Sequence, residues 1–339
     1  MKKVSVIVPA YNSHNTLLRC LDSLVNQTLE DIEIIVINDA SSDDTWDIML
    51  NYESRYPEKL IVIDGGVNRG SGGARNQGFD MASGEYIGLV DSDDYIAPRM
   101  YELLYEKAKE TDADIVDTGF YSEAMDKAIV YTSDDLTGEL DADKRKKLIV
   151  TGGYLVTKIF KNELWNNPPI RMREHVRCLE DTEILIYMYL KAKKVSNVKE
   201  VMYRYCDVAQ SATKTMDLKT YYDSIYGAIG AIYEVCHNID TYEECREIIE
   251  YAITNLYSYG INRCLYDQIV RFGGTKQNIK KYFNNVGYSE KKLLSDLCKL
   301  KDEIGIGKYR YNPEVTKRIS ELDILIMEEC DRRFSCQNG

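Results

Sequence analysis

Three carboxylates within four residues, Asp91-Ser92-Asp93-Asp94, follow the apolar run Tyr86–Val90. Each pair of like charges at ~4 Å costs about 4 kcal/mol at an effective dielectric of about 20, so this placement is unfavourable unless something compensates it. A divalent cation is one such compensation, because carboxylate oxygens suit Mg²⁺ or Mn²⁺, with phosphate oxygens completing the coordination. A solvated acidic turn is the alternative interpretation of this segment taken alone.

Two other acidic segments are candidates for chemistry. Asp39 follows the strand-like run Ile32–Ile37, where it is available to accept hydrogen bonds from a base or a ribose. Glu180 and Asp181 begin a helix-like segment. A carboxylate in a first turn interacts favourably with the helix dipole, and this capping role is the better interpretation of the pair taken alone. The same carboxylate acts as a general base if it faces a cleft.

A glycine-rich segment, Asn68–Gly78, joins the third strand-like run to a helix. Gly70 and Gly72 are reminiscent of a dinucleotide motif, but Arg75 stands where a third glycine is expected, so that match is weak. Free backbone N–H groups at such a helix entry still bind phosphate readily, and Arg75 adds a positive charge nearby. A plain tight turn with glycines at a packing contact is the alternative.

The elements that must position these residues alternate over the first 120 residues between strand-length apolar runs and amphipathic helical segments. The strand-like runs are Val4–Val8, Ile32–Ile37, Leu60–Ile63, Tyr86–Val90 and Ile115–Phe120. Continuous apolar runs are typical of strands buried on both faces, which predicts an α/β fold with a mostly parallel sheet sandwiched by helices. Ligands of such sheets bind beyond the carboxyl ends of the strands, where the acidic segments lie.

Composition and charge exclude several classes of function and of site. The 339 residues are 44% hydrophobic and 29% charged, as in a globular protein, and residues 1–120 alone carry the net charge of −12. Such acidity argues against nucleic acid as a partner. Nine cysteines without a CxxC pair and three scattered histidines argue against a zinc site or a disulfide framework. With no apolar run of about 18 residues, the sequence predicts no transmembrane segment and a cytoplasmic location.

Taken together and in order, the segments resemble glycosyltransferase family 2, the inverting transferases of GT-A fold that use nucleotide-sugars. The matching segments are Val4–Asn12, Cys20–Thr28, Glu33–Thr45, Asn68–Gly78, Leu89–Asp94, Glu180-Asp181 and Val201–Tyr205. The resemblance implies a GT-A domain over residues 1–215, with a nucleotide-binding half at 1–120 and an acceptor-side half at 121–215. An all-helical C-terminal extension at 216–339 follows it.

The resemblance also assigns roles to single residues. It implies that Asp181 is the catalytic base, with Glu180 its less favoured neighbour, and that Asp93 is the metal ligand. It implies nucleotide-sugar binding by a set of residues around the strand ends: Pro9, Ala10, Tyr11, Asp39, Arg75, Asp91 and Ser92. One departure is that Ala40 replaces the glycine usual after Asp39, so that a positive φ there would be strained.

The function implied is transfer of a sugar from a nucleotide-diphosphate donor, by default a UDP-sugar, with inversion. The acceptor is a hydroxyl of a glycan or lipid-linked molecule in cell-surface polysaccharide synthesis, and the cofactor is Mn²⁺ or Mg²⁺. Two alternatives stay open: a non-catalytic nucleotide-sugar-binding subunit, and a nucleotidyltransferase, although the basic triphosphate loop it needs is missing from Pro9–Ser13. The helical extension leaves oligomerisation and peripheral contact with the inner face of a membrane open.

Overall fold

The computed structural model describes residues 2–176, 178–209, 216–305 and 319–335. It divides the chain into two compact units, Met1–Thr215 and Met216–Gly339. Within the described ranges, no helix is both long enough and apolar enough to cross a membrane.

The first unit is built on a sheet of ten strands among its described residues. The strands are β1 (Val4–Ala10), β2 (Ile32–Asn38), β3 (Leu60–Asp64), β4 (Tyr86–Leu89), β5 (Tyr95–Ile96), β6 (Ile115–Ser122), β7 (Lys127–Ile129), β8 (Gly138–Glu139), β9 (Lys158–Lys161) and β10 (Lys194–Tyr205). Their order is β3-β2-β1-β4-β9-β6-β10-β5, with β7 beside β6 and β8 beside β10. The longer ladders are parallel and the short ones antiparallel. The predicted α/β fold with a mostly parallel sheet is confirmed.

Helices pack around this sheet and bury its central strands. They are α1 (Leu17–Val25), α2 (Thr45–Arg55), α3 (Gly70–Met81), α4 (Met100–Thr111), α5 (Ala142–Thr151), α6 (Asn162–Asn166) and α7 (Glu180–Lys191). All seven residues of β1 and all seven of β2 are buried. At Gly78 of α3, an added Cβ would lie 2.5 Å from Cγ2 of Ile7 in β1, so the absent side chain lets α3 approach the sheet closely.

The sequence pattern did not identify β9, which lies antiparallel between β4 and β6. Its lysines interrupt the apolar run, yet Lys158 is fully buried, with its Nζ 3.1 Å from Oδ1 of Asp117 in β6. The hydroxyls of Thr132 and Thr157 also donate to Asp117, at 2.7 and 2.6 Å. A buried ion pair with this many hydrogen bonds is a polar core element that no hydrophobic pattern predicts.

The second unit is helical in its described residues, as expected. Its helices are α8 (Leu218–Cys236), α9 (Tyr242–Phe272), α10 (Ile279–Asn285), α11 (Tyr288–Ile304) and α12 (Glu321–Phe334). Asp331 of α12 joins three of them, because it lies 2.7 Å from Nζ of Lys301 in α11 and accepts a 2.6 Å hydrogen bond from Tyr257 in α9. A polar contact therefore fixes how these helices meet inside the unit.

We expect Lys158→Met to lower the free energy of unfolding by about 3–5 kcal/mol, because Asp117 then keeps a buried charge without its cation. Urea unfolding followed by circular dichroism measures the change. Lys199→Met is the control, since Lys199 pairs with Asp134 at the surface and both side chains are mostly exposed. If Lys158→Met were as stable as Lys199→Met, the buried pair would contribute nothing to the fold.

Candidate active site

The carboxyl ends of the parallel strands meet at one edge of the sheet, where the candidate residues lie. The backbone N–H of Asp39, after β2, donates to the carbonyl of Ala10 at the end of β1. Ser92, after β4, lies with its hydroxyl 2.8 Å from that of Ser13, after β1. Pro9 and Ala10 are buried in β1, whereas Tyr11 is exposed at this edge. Side-chain and backbone contacts thus tie the three strand ends together.

Asp39 is buried and holds the start of α3. Its two carboxylate oxygens accept the backbone N–H groups of Arg69 and Gly70, at 2.7 and 2.9 Å. The next residue, Ala40, has φ of +61°, the left-handed conformation in which a side chain is strained. The strain expected at Ala40 is therefore present, and it turns the chain so that Asp39 faces α3.

Arg75 is the cation at the centre of the site. Its side chain is 6% exposed, with Nη2 2.5 Å from Oδ1 of Asp91 and Nη1 3.3 Å from Oε1 of Glu180. The Ser71 hydroxyl, one turn earlier in α3, also donates to Glu180. Asp91 and Glu180 lie 16 and 105 positions from Arg75 in the sequence, and both contact its guanidinium.

Asp181 lies next to this cluster at the start of α7. Burial, and then the charge of Glu180, raise its pKa to about 6, while Arg75 acts in the opposite direction. The segment leading into α7 is held on α3 by a pair of 2.8 Å hydrogen bonds between the Asn76 side chain and the Met172 backbone. A carboxyl group with a pKa near 6 is suited to accept a proton at neutral pH.

The acidic turn after β4 (residues 91–94) is anchored by β10. Asp94 is buried and accepts hydrogen bonds from the Tyr203 hydroxyl, at 2.6 Å, and the Cys206 backbone N–H, at 2.8 Å. Burial first, then Asp91 and Asp93, raise the pKa of Asp94 to about 8. These contacts hold Asp94 away from solvent, whereas the Asp91 side chain stays 31% exposed.

Asp91 and Asp93 are the carboxylates of this turn with the chemistry to hold a divalent cation. Burial, and then the charge of Asp91, raise the pKa of Asp93 to about 6, the effect that a bound cation would oppose. In the part of the chain that the structure describes, no three His, Cys, Asp or Glu side chains form a metal-binding group. The residues fit a cation that takes its other ligands from a phosphate-bearing molecule.

The site thus joins most of the residues that the sequence singled out. Asp39, Arg75, Asp91 and Glu180 are connected through the first two turns of α3, with Asp181 beside them. Sequence reasoning missed Ser71 and Tyr203 as positioning residues. The signal for Ser71 was its place one turn before Arg75, and Tyr203 carried no signal beyond its position in a matching segment.

Comparison with known proteins agrees with this geometry. The model of the family described as "Glycosyl transferase family 2" matches residues 5–162. This part of the chain belongs to glycosyltransferase family 2. Among similar sequences, the uncharacterized glycosyltransferase EpsJ of Bacillus subtilis is 33% identical over 221 residues, which is 62% of this chain and 63% of EpsJ. The poly(ribitol-phosphate) beta-glucosyltransferase of Bacillus spizizenii is 37% identical over 209 residues, 60% of this chain and 32% of that enzyme.

The matched part of the chain therefore spans less than two thirds of EpsJ and about a third of the poly(ribitol-phosphate) enzyme. Among solved structures, residues 1–349 of S. aureus TarS in complex with UDP-GlcNAc match with a TM-score of 0.69 and 23% identity, over 98% of this chain and 91% of that one. A mannosyltransferase of Pyrobaculum calidifontis, solved with GDP-Man and Mn²⁺, matches with a TM-score of 0.56 and 14% identity, over 98% and 87%. These likenesses support the GT-A fold.

We expect Arg75→Met to destabilise the chain by about 3 kcal/mol at pH 8, because Asp91 and Glu180 lose their shared cation. The loss should be smaller at pH 5.5, where Asp181, with a pKa of about 6, is largely protonated. Urea unfolding at both pH values measures it. Arg99→Met, which removes an exposed ion pair with Glu102, is the control. A loss that did not grow with pH would contradict the assigned electrostatics.

Proposed function

We propose that the chain is an inverting glycosyltransferase that moves a sugar from a nucleotide-diphosphate donor to an acceptor hydroxyl. The observation that carries this proposal is the Arg75 guanidinium, which contacts Asp91 of the acidic turn and Glu180 of α7 at once. The same guanidinium interacts electrostatically with Asp181, and it lies at the edge of the sheet where Asp39 and Asp91 follow their strands. The match of residues 5–162 to glycosyltransferase family 2 supports the same reaction.

In this reaction Asp181 is the general base. Its carboxylate takes the proton of the acceptor hydroxyl while that oxygen bonds to the anomeric carbon from the face opposite the leaving group. The bond from the anomeric carbon to the diphosphate oxygen breaks, and the diphosphate leaves with the electron pair. One displacement of this kind inverts the anomeric configuration. Arg75 and the hydrogen bonds to Glu180 keep α7, and with it Asp181, in place.

Asp93, with Asp91 beside it, is the residue we propose to hold a divalent cation, Mg²⁺ or Mn²⁺. When bound, such a cation neutralises the charge that develops on the leaving diphosphate. Arg75 has little charge to offer the diphosphate, because it is already paired with two carboxylates. The mannosyltransferase neighbour solved with Mn²⁺ supports this assignment.

For the donor we propose a UDP-sugar, with Pro9, Ala10, Tyr11, Asp39 and Ser92 on the nucleotide side. In this proposal residues 1–120 hold the nucleotide and residues 121–215 face the acceptor. The support is that S. aureus TarS, similar in fold, was solved with UDP-GlcNAc.

The acceptor we propose is a glycan or lipid-linked hydroxyl in cell-surface polysaccharide synthesis. The support is similarity, 41% identity over 95 residues, to the Escherichia coli UDP-Glc:alpha-D-GlcNAc-diphosphoundecaprenol beta-1,3-glucosyltransferase WfaP, whose named acceptor is a lipid-linked sugar. We propose that the protein acts in the cytoplasm. Its helical unit is then available for self-association or for contact with the inner face of a membrane.

Asp181→Asn should lower the transfer rate by roughly 10²–10⁴-fold, because the amide cannot take the acceptor proton. UDP affinity, measured by calorimetry, should be unchanged. In the wild type, the rate should fall as pH is lowered through about 6, where Asp181 becomes protonated, rather than near the ordinary pKa of 3.8.

The control for this experiment is Glu180→Gln, which keeps a hydrogen-bond acceptor for Ser71 and Arg75 beside an intact Asp181. It should transfer sugar, and its pH profile should shift to lower pH, because the charge of Glu180 contributes to the raised pKa of Asp181. Normal turnover by Asp181→Asn would assign the base elsewhere. A wild-type chain that binds UDP-sugars without transferring or slowly hydrolysing them would be a non-catalytic binding subunit instead.

Removal of divalent cations with EDTA should abolish transfer, and Mg²⁺ or Mn²⁺ should restore it. Asp93→Ala should weaken UDP binding by about tenfold or more, about 1.4 kcal/mol, only when the cation is present. Asp47→Ala, at an exposed acidic position of α2, is the control. Transfer at full rate in EDTA, or metal-dependent UDP binding that Asp93→Ala leaves intact, would remove the cation from the mechanism.

A further inference from the structure

Polar side chains on one side of α1 contact the chain that follows β4, and the proposed reaction leaves them without a role. Arg19 and Ser23 lie one turn apart in α1, and Gln27 follows the helix after the same interval of four residues. The Ser23 hydroxyl accepts the backbone N–H of Ile96 at 3.3 Å, and the Gln27 amide donates to the carbonyl of Ala97 at 2.8 Å. This side of α1 therefore supports the main chain just beyond the acidic turn.

The acidic turn itself is held at each of its four residues. The Cys20 thiol of α1 donates to the carbonyl of Asp91 at 3.5 Å. The second residue is held by the hydroxyl of Ser13, and the fourth by its contacts with β10 and the residue after it. The third residue is Asp93, to which we assign the cation, and its contact is with Arg19. Each residue of the turn thus has a partner outside it.

Arg19 binds the main chain of Asp93 rather than its carboxylate. Its Nη2 donates to the Asp93 carbonyl at 2.9 Å and lies 3.0 Å from Sγ of Cys206. Its Cζ lies 4.8 Å from the centre of the Tyr95 ring, two residues further along the chain. The backbone N–H of Cys206 in turn donates to Asp94. One exposed guanidinium therefore links the acidic turn to the residue that follows β10.

The direction of the Asp93 carboxylate depends on its backbone, because the carboxylate accepts a hydrogen bond from the backbone N–H of the same residue. The peptide group on one side of Asp93 is thereby bonded to its side chain. The peptide group on the other side carries the carbonyl that Arg19 holds. Loss of the Arg19 contact would free the second peptide group and, with it, the carboxylate.

We propose that Arg19 is a positioning residue for the divalent cation, because it holds the main chain of Asp93 and so orients the Asp93 carboxylate before the cation and the donor bind. This inference rests on the proposed function, in which Asp93 holds Mg²⁺ or Mn²⁺. Arg19 acts through Asp93 and takes no part in bond making. Groups that orient a metal ligand typically contribute 10–100-fold to metal affinity.

The positive charge of Arg19 makes the proposal testable by the sign of one effect. As a charge alone, a guanidinium beside a cation site repels the cation, so its removal would strengthen cation binding. As a hydrogen-bond donor to the Asp93 carbonyl, it stabilises the oriented ligand, so its removal weakens cation binding. The proposal requires the second effect to be the larger one.

The test measures binding of a nucleoside diphosphate, separately from turnover. UDP and GDP are titrated into the chain by calorimetry, once with Mn²⁺ and once with EDTA in its place. The pH is 8, well above the pKa of about 6 of Asp93, so that a change of protonation does not account for the result.

Arg19→Met should weaken the binding in Mn²⁺ by about tenfold, about 1.4 kcal/mol, and should leave the binding in EDTA unchanged. Arg19→Lys keeps a charged donor and should bind more tightly than Arg19→Met. Circular dichroism during urea unfolding checks that both variants fold, and Arg19→Lys makes the comparison if Arg19→Met does not.

Arg55→Met is the matched control. Arg55 is also exposed and also lies over tyrosine rings, those of Tyr52 and Tyr56 beside it at the end of α2. Its replacement should leave binding in Mn²⁺ unchanged.

Two results would overturn the role of Arg19 alone. Arg19→Met could bind the nucleotide in Mn²⁺ at least as tightly as the wild type, or it could lose affinity equally in Mn²⁺ and in EDTA. A wild-type chain that binds neither nucleotide more tightly in Mn²⁺ than in EDTA would overturn this inference together with the proposed cation. Failure of glycosyl transfer itself would appear separately, as Mn²⁺-dependent binding without transfer or hydrolysis of a nucleotide-sugar.

Discussion

A single buried guanidinium holds two distant parts of this chain together. Arg75 has almost no contact with solvent, so its charge needs partners, and the structure supplies them from the acidic turn after β4 and from the start of α7. The three acidic groups that face it, Asp91, Glu180 and Asp181, would repel one another without it. The constraint is mutual: the cation is tolerated because of the carboxylates, and the carboxylates converge because of the cation.

The first two turns of α3 extend this constraint to the rest of the site. At their start, the backbone N–H of Gly70 donates to Asp39. One residue on, the Ser71 hydroxyl donates to Glu180, and Arg75 binds Asp91. Glycine at position 72 removes the side chain that would otherwise meet the backbone of Arg173, so the segment before α7 packs directly on this helix. The glycine-rich segment therefore acts here as a packing surface for two acidic segments, beyond its availability to a phosphate.

Much of the fold and of the candidate site could be predicted from the sequence, because the apolar runs and the acidic residues that follow them are local features. The apolar runs gave β1, β2 and β4, and their carboxyl ends correctly marked the edge where Asp39 and Asp91 lie. The strand β9 was missed because Lys158 and Lys161 break its pattern, and burial of Lys158 depends on Asp117, more than thirty residues away. For the same reason, the sequence could not decide whether Glu180 caps a helix or joins the site. Only the fold brings Arg75 to it.

The position of β9 has one more consequence. It connects the two parts of the sheet, because β4 pairs with one side of β9 and β6 pairs with the other, over three residue pairs each. The match to the family model ends at residue 162, immediately after this strand. Beyond residue 162, β10 joins the sheet along its ladder with β6. Arg75 and Asn76 hold α7 and the segment before it, and Asp94 holds the end of β10. A segment from a relative that replaced α7 and β10 would therefore have to keep both the β6–β10 ladder and the partners of Arg75, Asn76 and Asp94.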